Sequence, residues 1–167
     1  MQGTLSESCF VITRTFDAPL DLVWTAWTDS VSLGAWLGPK GMQAHVIQHD
    51  LRPGGSLHTC FTTPGGPTVW GKFAYREIVP PSLLVWEHSF ADEAGQIVRH
   101  PFSPTWPLKM LTTVNFENAG DKAKVTLTWC PMDATEIEDK TFVAGMEGMK
   151  TGWGGSFDSL ADFLAKK

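Results

Sequence analysis

The sequence lacks the features that mark several common classes of protein. Its 167 residues contain no apolar run that approaches the roughly 18 residues of a membrane span, so no membrane segment is predicted. Lysine and arginine number 13 against 18 acidic residues, and the formal charge of -5 provides no basic surface that would attract phosphate groups. Neither a membrane nor a nucleic acid is therefore an expected partner.

Cysteine is also scarce. The three thiols, Cys9, Cys60 and Cys130, are odd in number, far apart and free of any C-x-x-C spacing. This pattern favours reduced, buried thiols over a disulfide framework or a zinc site, and such thiols are typical of a reducing cytoplasm. Residues 1–8 are polar and carry no basic side chain, so no export signal is predicted. We therefore expect a cytoplasmic protein.

The motifs of cofactor-dependent enzymes are missing. There is no P-loop, dinucleotide fingerprint or Ser-His-Asp elbow, because Gly54 and Gly55 follow Pro53 in a turn and do not open a helix. His45 and His49 have the H-x-x-x-H spacing of a metal pair on a helix, but on an extended strand they lie about 13 Å apart. We expect no cofactor and no metal site.

Aromatic residues dominate what is present, with eight Trp and ten Phe against one Tyr. Apolar rings at this density indicate either a heavy core or an aromatic-lined cavity. The chain length fits one compact unit that needs no disulfide or metal to hold its core. The sequence predicts a flexible N-terminus over residues 1–8 and a single folded domain over residues 9–167.

The order of periodic segments predicts an α+β fold. Residues 9–16 form a β-branched and aromatic strand, and Pro19 then opens a short amphipathic helix. A second short helix is capped by Asp29 or Ser30 and stops at Gly38-Pro39. Six further strands, separated by turns rich in Pro and Gly, are predicted at about 42–50, 56–63, 68–79, 83–91, 109–117 and 122–130.

A long helix closes the chain. Thr135 and Glu138 have the spacing of a capping box, and one apolar stripe continues from Phe142 to Leu164. The glycines along this stripe indicate close backbone approach, a kink or room for something else. A curved seven-stranded antiparallel sheet wrapped around such a helix is a helix-grip fold, with a cavity between its concave face and the helix.

Five segments in a fixed order resemble the signature of the SRPBCC (START-like) superfamily. They are Arg14-Thr15-Phe16-Asp17-Ala18-Pro19, Val23-Trp24-Thr25-Ala26-Trp27-Thr28-Asp29, Trp36-Leu37-Gly38-Pro39-Lys40-Gly41, Asp50-Leu51-Arg52-Pro53-Gly54-Gly55 and Gly152-Trp153. More narrowly they resemble the branch related to the activator of the heat-shock protein 90 ATPase, often labelled polyketide-cyclase-like. The resemblance covers about residues 9–165. It implies a hydrophobic cavity for a small apolar or amphipathic ligand.

The terminal helix supplies the first candidates for the cavity wall. Met146, Met149 and Trp153 lie on its apolar stripe, and Phe142 precedes them by one turn. Unbranched Met side chains adapt to varied ligands, and Trp offers a flat apolar face. For any one of these residues a filled core is the alternative, but as a group they favour a pocket.

The middle strands supply the second set of candidates. Trp86, His88 and Phe90 share one strand face, Trp70 lies on the adjacent strand, and either parity could give an aromatic floor. His88 could fix a polar ligand group or act as a general base, although a histidine in this setting is more often structural. The sequence does not settle which face points inward.

Three functional hypotheses follow. The leading one is the binding of a small hydrophobic or amphipathic molecule in the cavity. The alternatives are a cyclase- or hydrolase-type enzyme that acts on an apolar substrate there, with His88 as its acid or base, and a protein-interaction module that resembles a chaperone-ATPase activator. Whether the protein is an enzyme, and whether it forms a homodimer through an aromatic loop or a sheet edge, stays open.

Overall fold

The computed structural model describes residues 8–38 and 41–167, so the predicted flexible N-terminus lies, apart from Ser8, outside the described residues. The observed order of elements agrees with the predicted α+β order, with one added strand and one divided helix. The elements are β1 Phe10–Phe16, α1 Leu20–Thr28, α2 Ser30–Trp36, β2 Gln43–His49, β3 Ser56–Thr62, β4 Val69–Val79, β5 Leu83–Ala91, β6 Ile97–Val98, β7 Lys109–Ala119, β8 Lys122–Met132, α3 Glu136–Ala144 and α4 Met146–Ala165.

One antiparallel sheet carries the fold. Its strands lie in the order β1-β8-β7-β5-β4-β3-β2, and β6 pairs with β5. The short strand β6, which the sequence did not predict, pairs with Phe90 and Ala91 beyond the point where the pairing of β7 with β5 ends at His88. This open sheet with a long C-terminal helix confirms the predicted helix-grip fold.

The two short helices follow their predicted signals. Asp29 caps α2, since its side chain accepts a hydrogen bond from the Ser32 amide. In α1 the apolar periodicity buries Val23 and Trp27 completely. The Trp27 ring lies 4.7 Å from the Trp36 ring and 6.2 Å from the Trp86 ring, so it joins both short helices to the sheet. This aromatic cluster fills one end of the space under the sheet.

The expectation of one continuous terminal helix is wrong. Thr135 and Glu138 form the predicted capping box at the start of α3, but the helix ends at Gly145 and α4 begins at Met146. A Cβ atom at Gly145 would lie 3.1 Å from the Trp106 ring, so the loop packs closely at the break. Phe142 therefore belongs to a separate helix from the rest of the predicted stripe.

The expectation of three reduced thiols is also wrong. Cys9 and Cys130 form a disulfide with a Cα–Cα distance of 4.5 Å, and Cys60 is free and buried. The register that pairs Phe10 with Trp129 sets the two cysteines opposite each other on neighbouring strands. Linear spacing does not reveal this pairing, because 121 residues separate the two cysteines. The cysteines therefore give no support for a reducing cytoplasm.

Among the described residues, no helix has the length and apolar character that would span a bilayer.

Candidate functional site

A cavity of about 270 Å³ lies between the sheet and α4. Strands β3, β4, β5 and β8 form its floor, α4 forms its roof, and the segment between α2 and β2 closes one side. The residues that line it are Leu37, Gly38, Met42, Phe61, Val69, Trp70, Gly71, Phe73, His88, Ser89, Phe90, Trp129, Met149, Gly152, Trp153 and Ser156.

The strand register decides which side chains form the floor. Phe73 on β4 pairs with His88 on β5, so both side chains point to the same face of the sheet. Trp129 on β8 meets the His88 ring edge-on at 4.9 Å and the Trp153 ring at 5.7 Å. Since Trp153 belongs to α4, this face is the concave one that the helix covers. The floor is therefore aromatic, and the face that carries Trp86, His88 and Phe90 is the inward one, which the sequence left open.

Gly152 on α4 leaves open space under the roof of the cavity. A Cβ atom at Gly152 would have no atom within 4 Å, so the space beneath this turn of α4 is empty. Met149 and Trp153 flank the gap. One turn beyond Gly152, the buried Ser156 hydroxyl donates a 2.7 Å hydrogen bond to the Gly38 carbonyl and fixes α4 to the side wall.

The side wall depends on a second glycine. Gly38 has a φ of 105°, and a Cβ atom there would lie 2.8 Å from the Phe61 ring. Any other residue would be strained and would push Phe61 away from the cavity. Leu37, Gly38 and Met42 line this side of the cavity, while Pro39 and Lys40 fall outside the described residues.

The comparisons with known proteins agree with this architecture. The family model described as Activator of Hsp90 ATPase homolog 1-like protein matches residues 17–165. The chain belongs to this family. No curated protein matches the chain.

Solved structures of other proteins share the fold of this family member. A solution structure of a protein from Arthrobacter aurescens has a TM-score of 0.79 and 24% identity over 98% of this chain and 92% of that one. A crystal structure of a protein from Mycobacterium smegmatis has a TM-score of 0.76 and 21% identity over 98% and 97%. The AHSA1 protein of Silicibacter pomeroyi has a TM-score of 0.70 and 20% identity over 95% and 99%. At these identities the likeness concerns the fold alone.

In this member of the Activator of Hsp90 ATPase homolog 1-like family, the predicted site residues divide into two groups. Trp70, His88, Phe90, Met149 and Trp153 border the cavity. Trp70 is a partial exception, because it pairs with Cys60 and Ala91 on the opposite face of the sheet. Its ring lies 5.3 Å from the His58 ring there.

The other three predicted residues lie outside the lining. Trp86 is buried in the core, stacked on Phe73 with ring centres 4.4 Å apart. Phe142 is buried against Trp106 at 5.6 Å, and Met146 packs half-buried against the core. The break at Gly145 explains the position of Phe142, because this residue belongs to α3 and not to the helix that forms the cavity roof.

Several lining residues were missed from the sequence. Phe61, Phe73 and Trp129 lie on strands whose inward parity the sequence leaves open. The signal for Gly152 was present, since a glycine in a helix interior costs up to about 1 kcal/mol relative to alanine and needs a reason. The empty space beneath it supplies that reason.

His88 is the one titratable side chain in the described lining. Its ring lies 5.0 Å from the Phe73 ring, and its Nδ1 is buried without a hydrogen-bond partner. Burial lowers the pKa of His88 from 6.5 to about 3, so the imidazole is neutral at physiological pH. The cavity therefore offers an uncharged imidazole, beside the hydroxyls of Ser89 and Ser156, in a mainly aromatic and aliphatic wall.

The neutral state of His88 predicts a loss of stability in acid. Between pH 6.5 and pH 3 the unfolded chain holds a proton on this imidazole that the folded chain does not, so the free energy of unfolding falls as the pH falls. From pH 6.5 to pH 5 this amounts to roughly 2 kcal/mol. Urea unfolding at pH 7 and pH 5 should show a smaller drop for His88→Phe than for the native chain. His45→Phe, which changes an exposed histidine, should keep the native drop, and an equal drop in all three proteins would contradict the assignment.

His45 and His49, which have the H-x-x-x-H spacing, bond to different partners. His45 bonds the Thr62 hydroxyl at 3.1 Å, whereas His49 bonds the Ser30 hydroxyl at 2.8 Å and the Tyr75 hydroxyl at 3.2 Å. Burial lowers the pKa of His49, so its ring acts as a neutral link between β2, α2 and β4. Within residues 8–38 and 41–167, no group of three or more His, Cys, Asp or Glu is arranged to hold a metal ion.

Proposed function

We propose that this chain binds a small, predominantly apolar molecule in the cavity between the sheet and α4. The observation that carries the proposal is the open space beneath Gly152, enclosed by rings from the sheet and by Met149 and Trp153 from the helix. A glycine at this position lowers the stability of the helix relative to alanine, and the empty space beside it lacks van der Waals contacts. A ligand that occupies the space would restore the lost contacts.

The shape and character of the wall fit this role. Aromatic rings present flat apolar faces, and unbranched Met side chains at Met42 and Met149 adapt to the outline of a ligand. Apolar area removed from water contributes about 25 cal/mol per Å², which supplies the affinity. Polar groups set the orientation of the ligand and contribute less to the binding energy.

Ligand binding is favoured over turnover by the chemistry of the lining. A cyclase- or hydrolase-type reaction at neutral pH needs an acid or base whose pKa lies near 7. The pKa of His88 is about 3, which makes its imidazole a weak base, and no other side chain of the described lining titrates. Activation of a chaperone ATPase, to which the family name refers, has no specific feature among the described residues in its favour.

The proposal can be tested on the methionine methyl groups. Met42 and Met149 line the cavity, whereas Met132 is buried but does not line it. In protein labelled with ¹³C at the methionine methyls, saturating naphthalene should shift the NMR signals of Met42 and Met149 and leave that of Met132 in place. No shift at either lining methionine, with naphthalene at its solubility limit, would contradict the proposal.

A further inference from the structure

One polar group in the cavity wall has no partner in the protein. Among the described residues, buried side-chain nitrogen or oxygen atoms without a hydrogen bond occur at Trp27, Trp86, His88, Trp106 and Asp139. Of these five residues only His88 lines the cavity, where its side chain is half-buried although the Nδ1 atom itself is enclosed. An unmade hydrogen bond in an apolar site costs free energy that a suitably placed ligand group recovers.

The rest of the described lining carries no charge, and of its two hydroxyl groups, on Ser89 and Ser156, that of Ser156 is already engaged. The Ser156 hydroxyl donates to the Gly38 carbonyl, and the Trp129 indole donates to the Thr112 hydroxyl at 2.8 Å. No Asp, Glu, Lys or Arg belongs to the described lining. An ionised ligand group would therefore lose its hydration without gaining a counter-charge.

The size and shape of the cavity limit the apolar body of the ligand. An apolar cavity of about 150 Å³ is enough to bind benzene, and this one measures about 270 Å³. Aromatic rings, among them those of Phe61, Phe73 and Trp129, form much of the wall, and such rings pack well against a flat aromatic ligand. A planar body of two fused rings fits both the volume and the walls.

We infer that the ligand is a planar, two-ring molecule with one uncharged hydroxyl or carbonyl group, and that the imidazole of His88 binds this group. The inference rests on the proposed function and adds to it the polarity of the ligand and the residue that selects it. A neutral imidazole has one donor and one acceptor nitrogen, so it can bond either a hydroxyl or a carbonyl. Burial keeps it neutral at physiological pH.

The test compares three probes of one shape: naphthalene, 2-naphthol and 2-naphthoate. Dissociation constants at pH 7 come from the quenching of tryptophan fluorescence. The preference for 2-naphthol over naphthalene should fall about tenfold when His88 is replaced by Phe, because a hydrogen bond is lost while an aromatic ring is kept. His45→Phe should keep the native preference, since His45 is exposed and lies outside the lining. The native protein should bind 2-naphthoate more weakly than 2-naphthol.

The outcomes separate the inference from the proposed function. If naphthalene and 2-naphthol bind but the preference is the same in His88→Phe, or if 2-naphthoate binds most tightly, the inference fails and the cavity proposal stands. If neither probe binds at its solubility limit, both fail. If the His88→Phe variant does not fold, the inference is tested directly on the native chain by NMR. The ¹⁵N signals of the His88 imidazole should then move much further with 2-naphthol than with naphthalene, and equal movement with both probes would overturn the inference.

Discussion

We expect the Gly152→Phe variant to lose about 100-fold or more of the affinity for 2-naphthol while its melting temperature rises by a few degrees. A new side chain at this position points into space that holds no other atom within 4 Å of its Cβ. The Phe ring would occupy the volume that the ligand needs. Burying such a ring contributes about 1.5–3 kcal/mol, and the loss of a glycine from the helix interior adds to it.

Gly148 provides the matched control. It lies one turn earlier on α4, is exposed, does not line the cavity, and also has no atom within 4 Å of a built Cβ. Gly148→Phe should therefore keep the native affinity and show no comparable gain in melting temperature. Tight binding by Gly152→Phe, or equal weakening by both variants, would show that the ligand does not lie beneath Gly152.

The second large effect concerns the disulfide. Reduction of the bond between Cys9 and Cys130 should lower the free energy of unfolding by about 2–4 kcal/mol, because the bond closes a loop with a sequence separation of 121 residues. Urea unfolding with and without dithiothreitol measures this difference. The double variant Cys9→Ser, Cys130→Ser should be less stable than the native chain by a similar amount and should no longer respond to dithiothreitol.

A thiol count checks the same feature directly. Protein denatured without reductant should react as one thiol per chain, from Cys60, and as three after reduction. Three reactive thiols before reduction would contradict the disulfide. Because Cys130 follows Trp129, the bond also fixes the end of β8 that carries a ring of the cavity floor.

Much of the fold could be predicted from the sequence because its signals are local. Most turns between the strands contain Pro or Gly, and the capping box at Thr135 marks a helix start without reference to the rest of the chain. The broken terminal helix could not be predicted in the same way. Gly145 ends α3 where Trp106 packs closely, and that contact joins residues 39 positions apart.

The candidate site was predictable only in part, because inward and outward faces depend on strand pairing. His88 and Phe90 lie two residues apart on β5 and share a face whichever parity is inward, so the sequence predicts both as lining residues or neither. Trp70 and Phe73 have opposite parity on β4, and only the pairing of Phe73 with His88 shows that Phe73 points to the helix. The disulfide required the register of β1 against β8, which no local pattern reveals.

Native mass spectrometry of protein purified from its own host tests the central claim most directly. The account predicts one discrete, mainly apolar molecule per chain, released on denaturation and absent from the Gly152→Phe variant prepared in the same way. Recovery of the same molecule at the same ratio from Gly152→Phe would contradict a ligand beneath α4. So would an empty native protein that shows no thermal shift with any of a library of two-ring aromatic compounds.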